Sequence, residues 1–543
     1  MLRTRSAGEK NLVAKTGGRL KFALVYPNLY RVGMSNLGVH IIYALLNSSA
    51  PVTCERFFLP EVDVAPLSME TLSPLNRFQV VGFAVSFEPD YFNVVKMLRL
   101  SKIPLMSTQR TDFDPIIIAG GCCATFNPAP LSKIVDAFVV GEGEEILPPL
   151  IDEILSTEGL PRSRRLERLS QVASVYVPEY PKKTSRRWVT DLDAQPAHTT
   201  IVTDDAEFDM YLIETARGCG RHCRFCMAGY CFRRPRNRSL DVLKAEVRDA
   251  KIFGKKLGLM GAAISDYPQI DALCDFILGE GLTMSVASFR ADSVTQKLVD
   301  ALVASGQKTL TIAPEVGSDK MRAVVNKGIT EAHVFNAVEL GLRAGIKNFR
   351  LYFMVGLPFE ELSDVEAIAD LTARLKNFSR ARFTLSVNPF VPKPFTPFQW
   401  SPFAGRKYLD AAIKLLRKNL RGDEMISESV RSAQVQAILS RGDERLSDML
   451  SMSTTEADFR RNFKASGLDE NFYLGARDFD LPLPWDVLDQ GFTKSYLVDE
   501  FNRARELKLT ARCFDGCRRC GVCDSLLFFG GKRPALKAWE QFD

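Results

Sequence analysis

A strand followed by a helix recurs six times between residues 206 and 402, and this repeat constrains the fold more than any other feature of the sequence. Each unit opens on a short run of apolar and β-branched residues, as parallel strands do. Capping patterns at Ser293 and Ser363 predict where two of the helices begin. Six such units predict a partial, open barrel that binds ligands at the carboxyl ends of its strands. The strand candidates are 211–215, 257–262, 284–288, 309–313, 349–355 and 383–387.

Three cysteines follow the first of these strands at the spacing C-x3-C-x2-C. They are Cys219, Cys223 and Cys226. Three thiolates in so short a stretch can hold three irons of a [4Fe–4S] cluster and leave the fourth iron open to a small molecule. A zinc site would normally use four nitrogen or sulfur ligands, arranged in pairs. The spacing therefore favours a catalytic iron–sulfur cluster.

This stretch, with Phe225 before the third cysteine, is similar to the cluster loop of the radical S-adenosylmethionine (radical SAM) superfamily. The longer run 216–239 resembles uncharacterised radical SAM proteins with an N-terminal cobalamin-binding-like domain, and the resemblance covers nearly the whole chain. It implies a TIM-type barrel in which SAM chelates the open iron. It also implies one-electron cleavage of SAM to a 5′-deoxyadenosyl radical, a low-potential electron donor of the flavodoxin or ferredoxin type, and C–H functionalisation of an unknown substrate.

The resemblance also implies which residues contact SAM at the ends of the barrel strands. After the second strand the chain reads Met-Gly-Ala-Ala where the superfamily carries a Gly-Gly-Glu-type segment, so backbone contacts are expected there. Ser288, Arg290 and Glu315 have an alternative role in structural hydrogen bonds at the barrel rim. The expected SAM contacts are Gly261, Ala262, Ser288, Arg290, Glu315, Gly356 and Pro358.

Residues 21–156 alternate short apolar strands with helices, which predicts a doubly wound, Rossmann-like parallel sheet. By resemblance this is the cobalamin-binding-like domain. The sequence lacks the Asp-x-His-x-x-Gly loop that supplies an axial histidine in many cobalamin domains, and His40 is expected to pack within a helix. Cobalamin therefore binds without a protein ligand, in which case methyl transfer is expected, or does not bind at all. By the same resemblance, the residues expected to identify the cobalamin-binding edge of this domain are Gly120, Gly121, Gly141 and Glu142.

Four further cysteines stand near the end of the chain, at the spacing C-x3-C-x2-C-x2-C. Zinc usually takes two pairs separated by a longer loop, whereas successive x2 spacings are typical of ferredoxins. The spacing favours an auxiliary iron–sulfur cluster, with structural zinc as the alternative. The four are Cys513, Cys517, Cys520 and Cys523.

These features divide the chain into seven segments. The barrel at 206–402 is preceded by a connector and followed by a mostly helical C-terminal region. The expected boundaries are a basic tail at 1–20, the cobalamin-binding-like domain at 21–156, the connector at 157–205, the barrel at 206–402, the helical region at 403–510, the four-cysteine metal site at 511–530 and a tail at 531–543.

Composition limits the class of protein and its compartment. A hydrophobic content of 46% with 25% charged residues is typical of a globular chain, and no apolar run is long enough to span a bilayer. Seven of the 12 cysteines fall in the two clusters, which indicates metal ligation in a reducing compartment. The sequence therefore predicts a cytoplasmic protein with no membrane partner.

The formal charge of +6 permits an anionic substrate without requiring nucleic acid. In the connector, basic runs lie among Tyr176, Tyr180 and Trp188. Such a pattern usually indicates a solvent-exposed charged surface, and the alternative is a surface that binds RNA. Two alternatives to the main hypothesis follow. One is an RNA-modifying radical SAM enzyme without cobalamin, and the other is a non-catalytic iron–sulfur or RNA-binding factor that uses the barrel as a scaffold.

Arginines crowd the cysteine loop. A guanidinium group matches the geometry of a carboxylate or phosphate, so these side chains either hold SAM or an anionic substrate, or form salt bridges within the protein. The arginines are Arg217, Arg221, Arg224, Arg233, Arg234, Arg236 and Arg238.

Overall fold

The computed structural model describes residues 6–13, 17–420, 424–514 and 516–523. The predicted tail at 531–543 and the last residues of the predicted metal site, 524–530, lie outside this part of the chain. Two compact units are present. Of the described residues, the first unit comprises those up to 210 with 438–473 and 481–490, and the second comprises those at 211–437, at 474–480 and from 491 onward.

The first unit is built on a six-stranded sheet. Its strands are β1 (Leu20–Tyr26), β2 (Val52–Phe58), β3 (Val80–Ala84), β4 (Ile116–Gly120), β5 (Ala137–Val139) and β6 (Val175–Tyr176). They follow one another in space as β2-β1-β3-β4-β5-β6. The first five are parallel and β6 runs antiparallel to β5. Most residues of these strands are buried, as expected where both faces of a parallel sheet are covered.

Helices connect and cover these strands. The helix Leu37–Ser48 begins where the Asn36 side chain accepts a hydrogen bond from the Val39 N–H, which satisfies one free donor of the first turn. The α-helices of this unit are Tyr30–Gly33, Leu37–Ser48, Tyr91–Leu100, Cys122–Phe126, Gly143–Ser156, Arg162–Leu169, Arg445–Ser451, Glu456–Ala465 and Glu470–Leu474, and its 3₁₀ turns are Leu75–Arg77, Glu88–Asp90, Ser107–Gln109, Ala129–Leu131 and Leu192–Ala194.

The sheet confirms the predicted doubly wound fold and adds two strands that the sequence did not reveal. β2 carries Glu55 and Arg56 at its centre, so it does not read as an apolar run. Arg56 is nevertheless buried, because its guanidinium pairs with Glu9 and Glu70, each at 2.7 Å. β6 has only two residues, too few to give a periodic signal.

The basic stretch at 157–205 belongs to the first unit. Arg162 is buried and its guanidinium pairs with the Asp136 carboxylate. Arg186 is also buried and stacks on the Trp188 ring, 4.7 Å from its centroid. Because Tyr176 is buried as well, neither it nor Trp188 offers an exposed ring on which a nucleotide base could stack.

Two short strand pairs complete this unit. Lys10–Asn11 pairs antiparallel with Ile201–Val202, and Thr184–Ser185 pairs parallel with Leu488–Asp489.

Seven strands form the two main sheets of the second unit. The first three form one sheet and the last four form a parallel sheet. A parallel bridge between Phe289 and Ile312 joins the two sheets. The strands are β7 (Met210–Glu214), β8 (Lys256–Met260), β9 (Met284–Ser285), β10 (Thr309–Glu315), β11 (Asn348–Val355), β12 (Arg382–Pro389) and β13 (Glu424–Ser427).

This arrangement confirms the predicted α/β barrel fold, and all six predicted strands are present. β13 is an additional strand. It has four residues, none of them buried, and pairs with β12 alone, so no apolar run marks it in the sequence.

Helices alternate with the strands of the second unit, and the helical character predicted after residue 402 is confirmed. The α-helices are Ala228–Cys231, Leu240–Ala250, Ile270–Gly279, Gln296–Ala304, Asp319–Val324, Glu331–Arg343, Leu362–Ser379, Arg406–Asn419 and Lys494–Arg505, and Val430–Arg441 contains residue 437, where the second unit gives way to the first. The 3₁₀ turns are Lys251–Phe253, Ile264–Asp266 and Pro397–Trp400.

Both predicted helix caps are wrong by two residues. The helix Gln296–Ala304 is capped by Thr295, whose hydroxyl accepts the Leu298 N–H. Ser293 instead donates to the Ser265 hydroxyl. The helix Leu362–Ser379 is capped by Glu361 and not by Ser363. Within the described ranges, we find no helix with both the length and the apolar character that crossing a membrane requires.

His40 packs inside the first unit, as the sequence predicts, with 1% of its surface exposed. Its Nε2 lies 3.0 Å from the Met34 carbonyl, and its Nδ1 accepts the Thr200 N–H at 3.2 Å. These contacts fix a neutral ring with its proton on Nε2. Burial lowers the pKa of His40 to about 4, with Arg56 and His198 lowering it further and the Met34 carbonyl and Glu9 opposing them.

This histidine should make the protein sensitive to acid. Between an ordinary histidine pKa of 6.5 and about 4, the unfolded chain binds a proton that the folded chain does not. The free energy of unfolding should therefore fall by about 3 kcal/mol as the pH drops through this range. We expect His40→Gln to flatten that slope in chemical denaturation curves. Above pH 7 the variant and the wild type should show parallel pH dependence, and an unchanged slope below pH 6.5 would contradict the assignment.

Candidate active site

The cysteine loop is held at its base by a short hairpin. Ala216–Arg217 pairs antiparallel with Arg236–Asn237, and the loop between them carries all three cysteines. At the end of β7, the Glu214 carboxylate accepts from the Arg217 guanidinium at 2.9 and 3.0 Å and from Arg238 Nη2 at 3.0 Å. All three side chains are buried. One carboxylate thus joins the strands at both ends of the loop.

The three thiols lie close enough to influence one another. Burial, followed by the neighbouring thiols of Cys223 and Cys219, raises the pKa of Cys226 to about 12. Burial also raises the pKa of Cys219. The Arg221 N–H points at Cys219 Sγ at 3.4 Å, and Arg290 Nη1 lies 3.8 Å from Cys223 Sγ.

The donor set suits an iron–sulfur cluster, because three soft thiolates on one loop lie beside cationic groups that balance the negative charge of such a cluster. Across the ranges that the structure describes, no group of three or more His, Cys, Asp or Glu side chains is arranged to hold a metal ion. The coordination of iron by these thiols is therefore part of the proposal below.

Two acidic side chains at strand ends anchor the loop to the barrel. Arg221 donates to both oxygens of Asp266, at 2.9 and 2.8 Å, and to Asp292 at 2.8 Å. Asp292 also accepts from Arg290 Nε at 3.0 Å. Burial opposes ionisation of Asp266, but the hydrogen bonds and charge of Arg221 outweigh it, so its pKa is lowered. The segments after β8 and β9 are thereby tied to the loop.

A second buried arginine ties the loop to the C-terminal helix. Arg224 is 0% exposed and its Nε donates to Glu500 at 3.1 Å. Its remaining N–H groups reach the carbonyls of Ala323 at 2.8 Å and Lys508 at 2.6 Å. From the sequence, the loop arginines could either bind a ligand or form salt bridges within the protein. Four of them form internal salt bridges in the structure: Arg217, Arg221, Arg224 and Arg238.

Two of the predicted SAM contacts, Arg290 and Glu315, are connected to the cysteine loop, Arg290 directly and Glu315 through Lys327. Arg290 contacts Cys223 and also donates to the Lys327 carbonyl at 2.5 Å. Glu315 ends β10 in the left-handed conformation, at a φ of 69°, and pairs with Lys327 at 2.9 Å. Such strain in a non-glycine residue is concentrated at functional sites. The charge of Lys327 partly opposes the burial that raises the pKa of Cys226, which places the ion pair beside the loop.

The segment after β8 presents backbone to its surroundings. Gly261 and Ala262 are exposed, and a Cβ atom on Gly261 would meet Thr215 Oγ1 at 3.1 Å and the Ala216 carbonyl at 3.3 Å. This close approach puts the segment next to the base of the cysteine loop. Ser288 follows β9 and is half-buried.

Gly356 is required by packing. It has a φ of 82°, and a Cβ there would lie 2.7 Å from Leu409 Cδ2. Its N–H donates to Glu360 at 2.6 Å, and the Tyr408 hydroxyl donates to the same oxygen at 3.0 Å. Burial raises the pKa of Glu360 to about 7. Pro358 lies half-buried within this turn.

The predicted cobalamin marks lie after β4 and β5 of the first unit, and most are explained by contacts within the protein. A Cβ on Gly121 would lie 2.6 Å from the Val85 carbonyl, and one on Gly141 would lie 2.0 Å from that of Arg187. Glu142 accepts the Val189 N–H at 2.9 Å. Gly120 alone of the three glycines has room, since its Cβ would stand 3.7 Å from that of Val139.

The sequence missed the acidic partners of the loop. Asp266 carried a signal, because it closes the Met-Gly-Ala-Ala-Ile-Ser-Asp segment at a strand end. Glu500 carried none, since it lies 276 residues from its arginine.

Comparison with known proteins relates both units to one superfamily. A family model described as "Radical SAM superfamily" matches residues 213–372, and one described as "Radical SAM proteins, N-terminal" matches residues 38–178. An uncharacterized protein of Methanocaldococcus jannaschii, MJ0966, is 32% identical over 459 residues, which cover 83% of this chain and 95% of the relative.

Two further similarities concern proteins with named activities. A tRNA-2-methylthio-N(6)-dimethylallyladenosine synthase of Cereibacter sphaeroides is 24% identical over 316 residues, or 54% of this chain and 65% of the relative. The solved structure of the radical S-adenosylmethionine methyltransferase TsrM from Kitasatospora setae, with cobalamin and a [4Fe–4S] cluster bound, has a TM-score of 0.52. It is 13% identical and covers 82% of this chain and 99% of that chain, so the likeness concerns the fold.

Removing the carboxylate at the base of the loop should destabilise the second unit. Glu214→Ala leaves two buried guanidinium groups without their shared partner, and we expect a loss of about 3 to 5 kcal/mol in the free energy of unfolding, measured by chemical denaturation. Glu339→Ala is the matched control, because Glu339 pairs with Arg343 on an exposed helix face and should contribute little. Equal small losses in the two variants would contradict a structural role for Glu214.

Proposed function

The chain belongs to the radical S-adenosylmethionine superfamily, and we propose that it cleaves SAM reductively on a [4Fe–4S] cluster held by Cys219, Cys223 and Cys226. The cluster would supply one electron to SAM, giving methionine and a 5′-deoxyadenosyl radical for C–H functionalisation. The observation that carries this proposal is the loop of three neighbouring thiols, fixed at the carboxyl end of β7 and contacted by Arg290. A low-potential donor of the flavodoxin or ferredoxin type would supply the electron.

The residues around the thiols can orient SAM and shield the site. The exposed backbone of Gly261 and Ala262 offers carbonyl acceptors for an ammonium group. Arg290 is held by Asp292 and the Lys327 carbonyl, so we assign it to positioning the loop and balancing its charge. Glu315 and the turn at Gly356 and Pro358 line the remaining strand ends, and Ser288 stands beside Arg290.

We further propose that the first unit binds cobalamin and that the reaction is a methyl transfer. The strand order β2-β1-β3-β4-β5 reverses between β1 and β3, and ligands of open α/β sheets bind at such switch points. The fold likeness to TsrM supports the same cofactor. His40 is packed against Met34 and Thr200, so cobalamin would bind without this ring on its cobalt.

RNA modification is the second candidate. It is supported by similarity to the tRNA-modifying synthase and by the net positive charge. The burial of Tyr176 and Trp188 leaves Tyr180, which is half-buried, as the one ring of these three that the connector still offers for stacking. We therefore rank RNA modification below cobalamin-dependent methyl transfer. Adding bulk tRNA to the SAM-cleavage assay compares the two functions, because an RNA substrate should increase the yield of 5′-deoxyadenosine.

The primary test is SAM cleavage by the anaerobically reconstituted full chain. Dithionite-reduced protein should convert SAM to methionine and 5′-deoxyadenosine, quantified by mass spectrometry, and its EPR signal should shift when SAM is added. Cys219→Ala should lower product to the level of the buffer blank, since a cluster ligand is lost. Cys274→Ala is the control, because this buried thiol lies in the helix Ile270–Gly279, away from the loop. A wild-type protein that forms a cluster but is indifferent to SAM would overturn the proposal.

A separate test addresses the first unit. Protein reconstituted with hydroxocobalamin and passed through a desalting column should retain a cobalamin absorption spectrum. Transfer of label from methyl-labelled SAM to bound cobalamin should follow reduction. A protein that cleaves SAM but emerges free of cobalamin would remove methyl transfer while leaving radical chemistry intact.

A further inference from the structure

The C-terminal cysteines return to the cysteine loop. After the helix Lys494–Arg505, the chain runs alongside the loop, and the Cys513 N–H donates to the Gly220 carbonyl at 2.8 Å. Asn326 fixes this approach, because its side chain donates to the carbonyls of His222 and Thr510, at 3.0 and 3.1 Å, and accepts the Thr510 N–H at 2.9 Å. Hydrogen bonds therefore hold the two cysteine motifs side by side within the second unit.

His222 lies between the two motifs. It immediately precedes Cys223 in the sequence, and its Nε2 lies 3.3 Å from Cys513 Sγ. Its Nδ1 faces Arg233 Nη1 at 3.1 Å and the Tyr496 hydroxyl. Because a guanidinium can only donate, Nδ1 is the acceptor and a neutral ring carries its proton on Nε2. The ring therefore directs an N–H toward the sulfur of Cys513.

The surroundings of the second motif are cationic. Arg233 is buried beside Cys513 and Cys520, and its guanidinium stacks on the Tyr230 ring, 4.7 Å from the centroid. Arg519 Nε donates to Cys517 Sγ at 3.2 Å. A cluster bound by four thiolates would carry net negative charge, which the buried guanidinium of Arg233 and the exposed guanidinium of Arg519 would balance.

We propose that Cys513, Cys517, Cys520 and Cys523 hold a second iron–sulfur cluster, and that His222 couples it to the cluster proposed on the loop for one-electron exchange. The second part rests on the proposed function, and the first part does not. The spacing C-x3-C-x2-C-x2-C favours iron over zinc, which takes separated pairs. An N–H directed at a ligand sulfur is one of the interactions that set the reduction potential of an iron–sulfur cluster.

The electron balance of this relay is simple. A low-potential one-electron donor would reduce the cluster held by the C-terminal cysteines and would itself be oxidised. The electron would then pass to the cluster held by Cys219, Cys223 and Cys226 and from there to SAM, whose carbon–sulfur bond would break to give methionine and the 5′-deoxyadenosyl radical. Each transfer moves one electron, and no proton is released in any of these steps.

The metal content of one variant tests the second cluster without reference to SAM. The full chain with C219A, C223A and C226A, reconstituted anaerobically with iron and sulfide, should retain about four irons per chain. Its reduced EPR signal should not respond to SAM. The complementary variant, C513A with C517A, should lose this iron and keep the SAM-responsive signal. Zinc without iron in the first variant, or no metal at all, would overturn the second cluster even if the complementary variant fails to fold.

A second experiment tests the coupling through His222. H222F should retain the iron of both clusters but shift the midpoint potential of the C-terminal cluster to a more negative value, since an N–H···S hydrogen bond that favours the reduced state is lost. H333Q, at a distant helix start, is the control and should leave the potential unchanged. EPR-monitored redox titration gives both values. An unshifted potential in H222F would contradict the assigned hydrogen bond.

Magnetic interaction separates this inference from the proposed function. The fully reduced wild type should give an EPR spectrum that differs from the sum of the spectra of the two cysteine variants, because the electron spins of two neighbouring reduced clusters interact. A spectrum equal to that sum would overturn electron exchange between the clusters. If the wild type fails to cleave SAM while the loop variant still binds iron, the proposed function falls and the second cluster stands.

Discussion

The neutralisation of buried arginines holds the candidate site together. Arg217 and Arg238 share Glu214, Arg221 takes Asp266 and Asp292, and Arg224 takes Glu500. Leaving the buried guanidinium group of Arg217, Arg224 or Arg238 without its partner would cost several kcal/mol, so these pairs fix the positions of the elements that supply the acids. The loop is therefore oriented by strand ends and by the C-terminal helix, and its thiols inherit that orientation.

This organisation explains how far the sequence could be read. The six barrel strands were predictable because their apolar runs are bounded by helices, and the location of the three-cysteine loop followed from the first of these strands. β2 was hidden by Glu55 and Arg56, whose burial depends on Glu9 and Glu70 from elsewhere in the chain. The pairing of Arg224 with Glu500 depends in the same way on tertiary structure, which no local pattern encodes.

The glycines of the first unit show a related limit. Gly121 and Gly141 were singled out as marks of a ligand site, yet both lie against backbone carbonyls of their own unit. A glycine allows any backbone to approach closely, and in a sequence the approach of the protein's own chain cannot be distinguished from that of a ligand. The strand order is the stronger guide to a binding edge, because it locates the switch point from topology alone.

The distance in sequence between Arg224 and Glu500 has a consequence for how the protein is made. The loop leaves the ribosome 276 residues before its acidic partner, which at ordinary rates of synthesis is a delay on the order of tens of seconds. Until the C-terminal helix has been synthesised, Arg224 has no Glu500 to pair with, and the surroundings that bury its guanidinium are incomplete. The cysteine loop can therefore reach the arrangement seen in the folded protein only after nearly the whole chain has been made.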